Sequence, residues 1–142
     1  MMELLTFGDT GWGDELLLSM VMTILVSTSS LAFGLLIGTI FASFKLSNSY
    51  ILKTIAEFYT TVVRGVPELL VIYLLFFGGS GAVMYVAKIF GHMGYIELSP
   101  FTIGTIAVGA ISGAYSTEVI RGAILAVPKG QFEAARTLGM KK

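Results

Sequence analysis

Apolar residues fall into three runs separated by short polar gaps, and the runs are long. They cover residues 16–44 (LLLSMVMTILVSTSSLAFGLLIGTIFASF), 66–87 (VPELLVIYLLFFGGSGAVMYVA) and 101–127 (FTIGTIAVGAISGAYSTEVIRGAILAV). A helix needs about 20 such residues to cross the hydrocarbon of a bilayer. Hydrocarbon offers no partner for free backbone N–H and C=O groups, so these runs predict helices rather than open strands. A transmembrane barrel would show alternating segments of about ten residues, and these runs do not alternate.

Inside two of the runs small residues return every fourth position. The first carries Ser30, Gly34, Gly38 and Ala42; the third carries Thr105, Gly109, Gly113 and Thr117 beside Ala110, Ala114, Glu118 and Gly122. Such rows allow close backbone approach, the main source of association between helices in lipid. Both helices are expected to face other helices, and three helices enclose little, so further helices are expected beside them. Ahead of the second run, SYILKTIAEFYTTVV reads as an amphipathic approach that bends at Arg64-Gly65. Pro67 then suits the first turn of the span, where its missing N–H leaves no gap. GGSG at 78–81 is expected to break or loosen the helix near its far end.

Charge gives this arrangement a direction. Lys45, Lys53 and Arg64 lie between the first two runs, and Arg121, Lys129, Arg136, Lys141 and Lys142 lie at the end of the third or beyond it. The opposite side has Lys88 alone, with acidic Glu3, Asp9, Asp14, Glu15 and Glu97. Basic residues favour the cytoplasmic side, so the N-terminus is expected outside and residues 128–142 inside. No Lys or Arg precedes the first run, as a secretory signal would require, so that run is expected to persist in the mature protein.

Composition agrees with a bilayer and excludes several chemistries. Apolar residues make up 55% of the chain and charged ones 13%, against about 25% charged in soluble domains. The formal net charge is zero and no basic face appears, which argues against nucleic acid. There are no cysteines, and the single His92 in FGHMGY reads as a solvated loop residue. No nucleophile–base pair, metal-spaced cluster or phosphate-binding glycine loop is visible, so no catalytic residue, cofactor or metal is expected.

Three ionisable residues stand within or at the ends of the runs, Glu68, Glu118 and Arg121, and a fourth, Arg64, lies just ahead of the second run. Such a group costs about 3 kcal/mol near the bilayer centre and should face protein or water. Glu118 and Arg121 are neighbours on one helix face. They either pair with one another or line and gate a polar pathway. Arg64 and Glu68 could pair similarly, although Gly65 and Pro67 stand between them.

The chain closes on AVPKGQFEAARTLGMKK. Pro128 and Gly130 are expected to flank a turn, and QFEAARTLGM to form a polar helix with Glu133 and Arg136 one turn apart. Ala134, Ala135 and Gly139 leave a low surface that another protein could approach. GQFEAARTLGM resembles the cytoplasmic loop of permease subunits in ATP-binding cassette (ABC) importers, with Glu-Ala-Ala, three residues, then Gly. YTTVVRGVPELLVIYLLFFG and GAYSTEVIRGAILAVPKGQFEAA resemble the polar amino acid (histidine, arginine and opine) branch of that family, in matching order and spacing.

The resemblance implies an all-α membrane protein with three helices of a normally five-helix permease fold. It ends in a cytoplasmic coupling helix and reads as C-terminally truncated, since the family pattern continues where this chain stops. Gly130, Glu133, Ala134, Ala135 and Gly139 would form the loop that docks on a cytoplasmic ATPase subunit. The implied partners are two such ATPases, a second permease subunit (identical or not) and a periplasmic binding protein, in a bacterial inner membrane. ATP would bind on the partner, since the chain has no GxxxxGK[ST] loop. The other reading of the same residues is a small membrane scaffold whose cytoplasmic helix serves as an adaptor.

Overall fold

The computed structural model describes residues 11–89 and 99–140. Five helices follow one another: α1 (Gly13–Leu46), α2 (Tyr50–Gly65), α3 (Glu68–Ile89), α4 (Pro100–Leu125) and α5 (Lys129–Thr137). Three of them, α1, α3 and α4, are long and apolar enough to cross a membrane. His92 and Glu97, with Glu3, Asp9, Lys141 and Lys142, lie outside the described residues.

The core is the seam between α1 and α4, the largest helix–helix contact in the chain. Ser30, Gly34, Gly38 and Ala42 of α1 are all buried, as are Gly109, Gly113, Ala114 and Thr117 of α4. The backbones nearly touch. A Cβ on Gly34 would stand 3.0 Å from the Gly109 carbonyl, and one on Gly38 would stand 2.6 Å from Ser116 Cβ. Ser30 donates across the seam to the Thr105 carbonyl at 3.3 Å. These contacts rise together in residue number, so α1 and α4 run parallel and end on the same side. The second row on α4 is only partly used. Ala114 is buried, but Gly122 is exposed, and a Cβ added there would meet no neighbouring helix.

Many hydroxyls along the helices are satisfied locally, whereas the buried Thr105 Oγ1 has no hydrogen-bond partner among the described residues. Thr23, Thr28, Thr39, Ser43 and Thr117 each donate to the carbonyl four residues back. In lipid an unmade hydrogen bond of this kind costs several kcal/mol, so an apolar helix tolerates these residues only because the backbone is at hand.

Between α2 and α3 the chain turns at Gly65, Val66 and Pro67. Val66 is extended, φ −100° and ψ 139°, as the residue before a proline prefers. Pro67 supplies the carbonyl that starts α3, accepting from Leu70 and Val71. Arg64 closes α2 and Glu68 opens α3, each charge complementing the dipole at its helix end.

Two expectations are corrected. GGSG does not break α3, which stays helical from Glu68 to Ile89. Each glycine costs only about 1 kcal/mol in a helix, whereas opening the backbone in hydrocarbon costs more. Gly130 does not sit in the turn but in the first turn of α5. The break falls at Ala126, Val127 and Pro128, and Pro128 serves as the N-cap. At the start of α4, the Ser99 side chain accepts from the Thr102 N–H and Pro100 occupies the first turn. This pairing of a cap residue with Pro is a helix-start signal.

Candidate functional site

α2 lies across the ends of α1 and α4 and is strongly amphipathic. Ile51, Ile55 and Phe58 are exposed, while Ala56 and Thr60 are buried against the other two helices. Its position is held by Tyr59, which stacks on Phe41 of α1 with ring centres 4.4 Å apart. The Tyr59 hydroxyl donates to the Ala110 carbonyl of α4 at 2.5 Å. A Cβ on Gly113 would stand 2.9 Å from that hydroxyl, so the glycine row on α4 also makes room for α2.

The polar side of α2 and the ends of α1 and α4 line a half-open chamber of about 500 Å³. Its walls are Lys45 from α1, Glu118 and Arg121 from α4, and Lys53, Glu57, Thr60, Thr61, Arg64 and Gly65 from α2. At its floor Glu118 binds two cations. One oxygen accepts from Lys45 and the other from Arg121, whose Nη2 is 3.0 Å away. The Lys45 side chain is 12% exposed and that of Glu118 21%. This site therefore combines a ground-state ion pair between α1 and α4 with a polar chamber above it.

Of the four ionisable residues picked out in the sequence, three come together here: Arg64, Glu118 and Arg121. Glu118 and Arg121 do pair, but Lys45 shares the carboxylate, a contact across 73 residues that local spacing cannot reveal. Glu68 does not line the cavity, and it forms no ion pair with Arg64 among the described residues. Arg64 instead lies over the Tyr115 ring, 5.4 Å from its centre, in cation–π geometry. Lys53 and Glu57 were missed, and the signal was available: with Arg64 they fall on one face of an amphipathic helix.

A second surface stands apart from the cavity. α5 buries none of its residues within the chain. Gly130, Glu133 and Ala134 are exposed and Ala135 is half-buried. Glu133 and Arg136 make no ion pair among the described residues. Gly139 ends the helix with φ +79°. Its N–H donates to the Arg136 carbonyl and the Met140 N–H to the Ala135 carbonyl. This is a Schellman ending, which requires left-handed backbone and so favours glycine.

An apolar, multi-helix membrane unit with a charged chamber at one end and an uncovered polar helix beyond it has the form of a transporter component. Residues 34–142 match the family described as binding-protein-dependent transport system inner membrane component. The chain belongs to this family and is a multi-pass inner-membrane protein. It is 51% identical over 140 residues to the nopaline transport system permease protein of Agrobacterium fabrum, covering 98% of this chain and 59% of that protein. It is 39% identical over 132 residues to the histidine/lysine/arginine/ornithine transport system permease protein of Escherichia coli, covering 93% of this chain and 58% of that one.

Among solved structures, the chain resembles the crystal structure of an amino acid ABC transporter with histidines. There the TM-score is 0.65 with 35% identity, over 85% of this chain and 51% of that one. The chain thus spans a little over half the length of the curated relatives it matches. The resemblance to polar amino acid permeases is borne out, and the helical permease architecture with it. The relatives bear the name of permease, a membrane component rather than a catalytic one. The comparisons favour this reading over the scaffold.

Proposed function

We propose that the chain is part of a permease subunit of an ATP-driven importer for polar amino acids or opines. α5 is its coupling helix: it seats in a cytoplasmic ATPase subunit and passes the movement of that subunit to α4. Gly130, Glu133, Ala134, Ala135 and Gly139 form the docking surface. The small side chains permit close approach, and the glycine ending holds the helix at a fixed length. A second permease subunit and a periplasmic binding protein complete the assembly. The N-terminus faces the periplasm, and α2, α5 and the charged chamber face the cytoplasm, in line with the positions of the basic residues.

The observation that carries this reading is the placement of α5. It follows α4 after a three-residue break at the basic end of the bundle, and none of its residues is fully buried in its own chain. In this account the chamber is the inner end of the solute path, with Arg64, Glu118 and Arg121 in its wall and Glu68 at the bend. The Lys45–Glu118–Arg121 set is the gate that ties α1 to α4 while the path is closed.

The test is affinity purification of the tagged permease in native membranes, with ATPase subunits and solute uptake read in parallel. The reading expects ATPase subunits to co-purify, and both readouts to fall with Glu133→Arg or Gly139→Trp while insertion is normal. Purification without any ATPase, or variants that couple normally, would overturn it.

A further inference from the structure

α2 has three distinct sides. Ala56 and Thr60 are buried against α1 and α4. Ile51, Ile55, Phe58 and Val62 form an apolar side that is exposed. Lys53, Glu57, Thr61 and Arg64 form a polar side, which lines the half-open chamber. A helix of this kind, lying across the ends of membrane-spanning helices, keeps its apolar side at the acyl-chain boundary and its polar side among lipid headgroups. The chamber therefore opens at the level of the lipid phosphates.

Its charges are not balanced. Lys45, Lys53, Arg64 and Arg121 face only two carboxylates, Glu57 and Glu118. Both oxygens of Glu118 are taken, one by Lys45 and the other by Arg121. On the α2 wall Lys53, Glu57 and Arg64 are all exposed, and none is in an ion pair among the described residues. A cleft with excess positive charge concentrates anions, and a basic pocket between helices at a membrane surface is a form that holds lipid headgroups. Arg64 offers a planar fork for two phosphate oxygens and Lys53 a point charge. The Tyr115 ring beneath Arg64 limits its orientation.

Headgroup charge decides among lipids. Choline and ethanolamine headgroups carry a cation beside the phosphate, so they leave the positive excess as it stands. A glycerol headgroup carries the phosphate charge alone and reduces it. Its hydroxyls also give Glu57 something to accept from.

We propose that the α2 wall of the chamber binds the phosphodiester headgroup of an anionic phospholipid, with Lys53 and Arg64 on the phosphate and Glu57 accepting from the headgroup hydroxyls. The acyl chains lie on the side of Ile51, Ile55 and Phe58. This site serves the bilayer and not the transported solute, so it goes beyond the transport reading and does not depend on it. A bound headgroup occupies the mouth of the chamber while the Lys45–Glu118–Arg121 gate is closed.

The experiment titrates the permease, purified in detergent with its co-purifying subunits, with phosphatidylglycerol, phosphatidylethanolamine and phosphatidylcholine of equal chain length. Bound lipid is counted by native mass spectrometry, and inorganic phosphate is titrated as a competitor in a separate arm. Phosphatidylglycerol is expected to bind about tenfold more tightly than either zwitterionic lipid at low salt, the effect of two basic contacts at a membrane surface. That preference should shrink as salt rises. Lys53→Gln should weaken phosphatidylglycerol binding about threefold, the share of one contact. Lys53→Gln/Arg64→Gln should remove the preference and Lys53→Arg should keep it. Melting temperature, read on the same samples, separates loss of the site from loss of the fold.

Equal binding of the three lipids overturns the proposal, as does a preference unchanged in Lys53→Gln/Arg64→Gln. Inorganic phosphate binding as tightly as phosphatidylglycerol overturns the lipid as its source. ATPase co-purification and solute uptake test the transport reading separately, so failure of the one is distinguishable from failure of the other.

Discussion

Glu118 on α4 holds Lys45 on α1, bridging 73 residues of sequence at the end of a seam that otherwise contains small and apolar residues. Zipped together by glycines, the two parallel helices are locked by charge where they meet the chamber. Removing one partner leaves the other half-buried without compensation. Glu118→Gln should lower stability by roughly 1–3 kcal/mol, the cost of an unsatisfied charged group. The double variant Lys45→Gln/Glu118→Gln should recover more than half of that loss. Thermal unfolding of the purified protein in detergent checks both, and a double variant as unstable as the two losses added would contradict the pairing.

The seam itself makes a sharper prediction. A Cβ at position 38 would lie 2.6 Å from Ser116 Cβ and 3.2 Å from the Ser116 carbonyl carbon. Gly38→Ala must push α1 off α4 and should cost about 1–3 kcal/mol, as overpacking does. Gly104→Ala, on the same α4 but with open space around it, should be neutral or stabilising by up to about 1 kcal/mol through helix propensity. The melting temperatures of the two variants, measured side by side, should move in opposite directions or differ clearly.

Much of this seam was legible in the sequence because helical spacing is local. Ser30, Gly34, Gly38 and Ala42 are four apart, and a row of that kind cannot point anywhere but along one face. The three spans were legible for a similar reason, since apolar length is read directly. What escaped was long-range or balanced against another cost. Lys45 and Glu118 have no local relationship. The GGSG segment looked like a break because glycine punctuates soluble helices, but the bilayer raises the cost of opening the backbone beyond the cost of the glycines. The chamber escaped because α2 supplies most of its wall, and no local rule says which helices its polar side will face.

Tyr59 ties α2 to both neighbours, through Phe41 and the Ala110 carbonyl. Tyr59→Phe keeps the stacking and loses one hydrogen bond, so it should cost about 0.5–1.5 kcal/mol. Tyr59→Ala also leaves a cavity and should cost about 3–5 kcal/mol. Burial holds the Tyr59 hydroxyl above the ordinary tyrosine range. The folded state thus retains that proton longer than the unfolded state does. Its contribution is fully present below the ordinary tyrosine value of about 10 and is lost as pH rises beyond it. Unfolding measured at strongly alkaline pH, above about 10, should show this loss in the parent protein and not in Tyr59→Phe.

Gly139 stands at φ +79°, where a side chain costs about 1–2 kcal/mol. Asn tolerates this conformation better than Ala, and Ala better than a β-branched residue. If the α5 ending sets the docking surface, transport-coupled ATPase activity should fall in the order Gly139, Gly139→Asn, Gly139→Ala, Gly139→Val. Equal activity across the series would show that the ending is dispensable for coupling.

The central claim is that α5 works on the cytoplasmic side, where an ATPase can seat on it. The chain has no cysteine, so Phe132→Cys, exposed on α5, introduces a single thiol. Labelling with a membrane-impermeant thiol reagent tests the claim most directly. The account expects no labelling in cells whose inner membrane is intact, and strong labelling once that membrane is opened, reduced when the ATPase is co-expressed. Strong labelling from the periplasmic side of the intact membrane would contradict it.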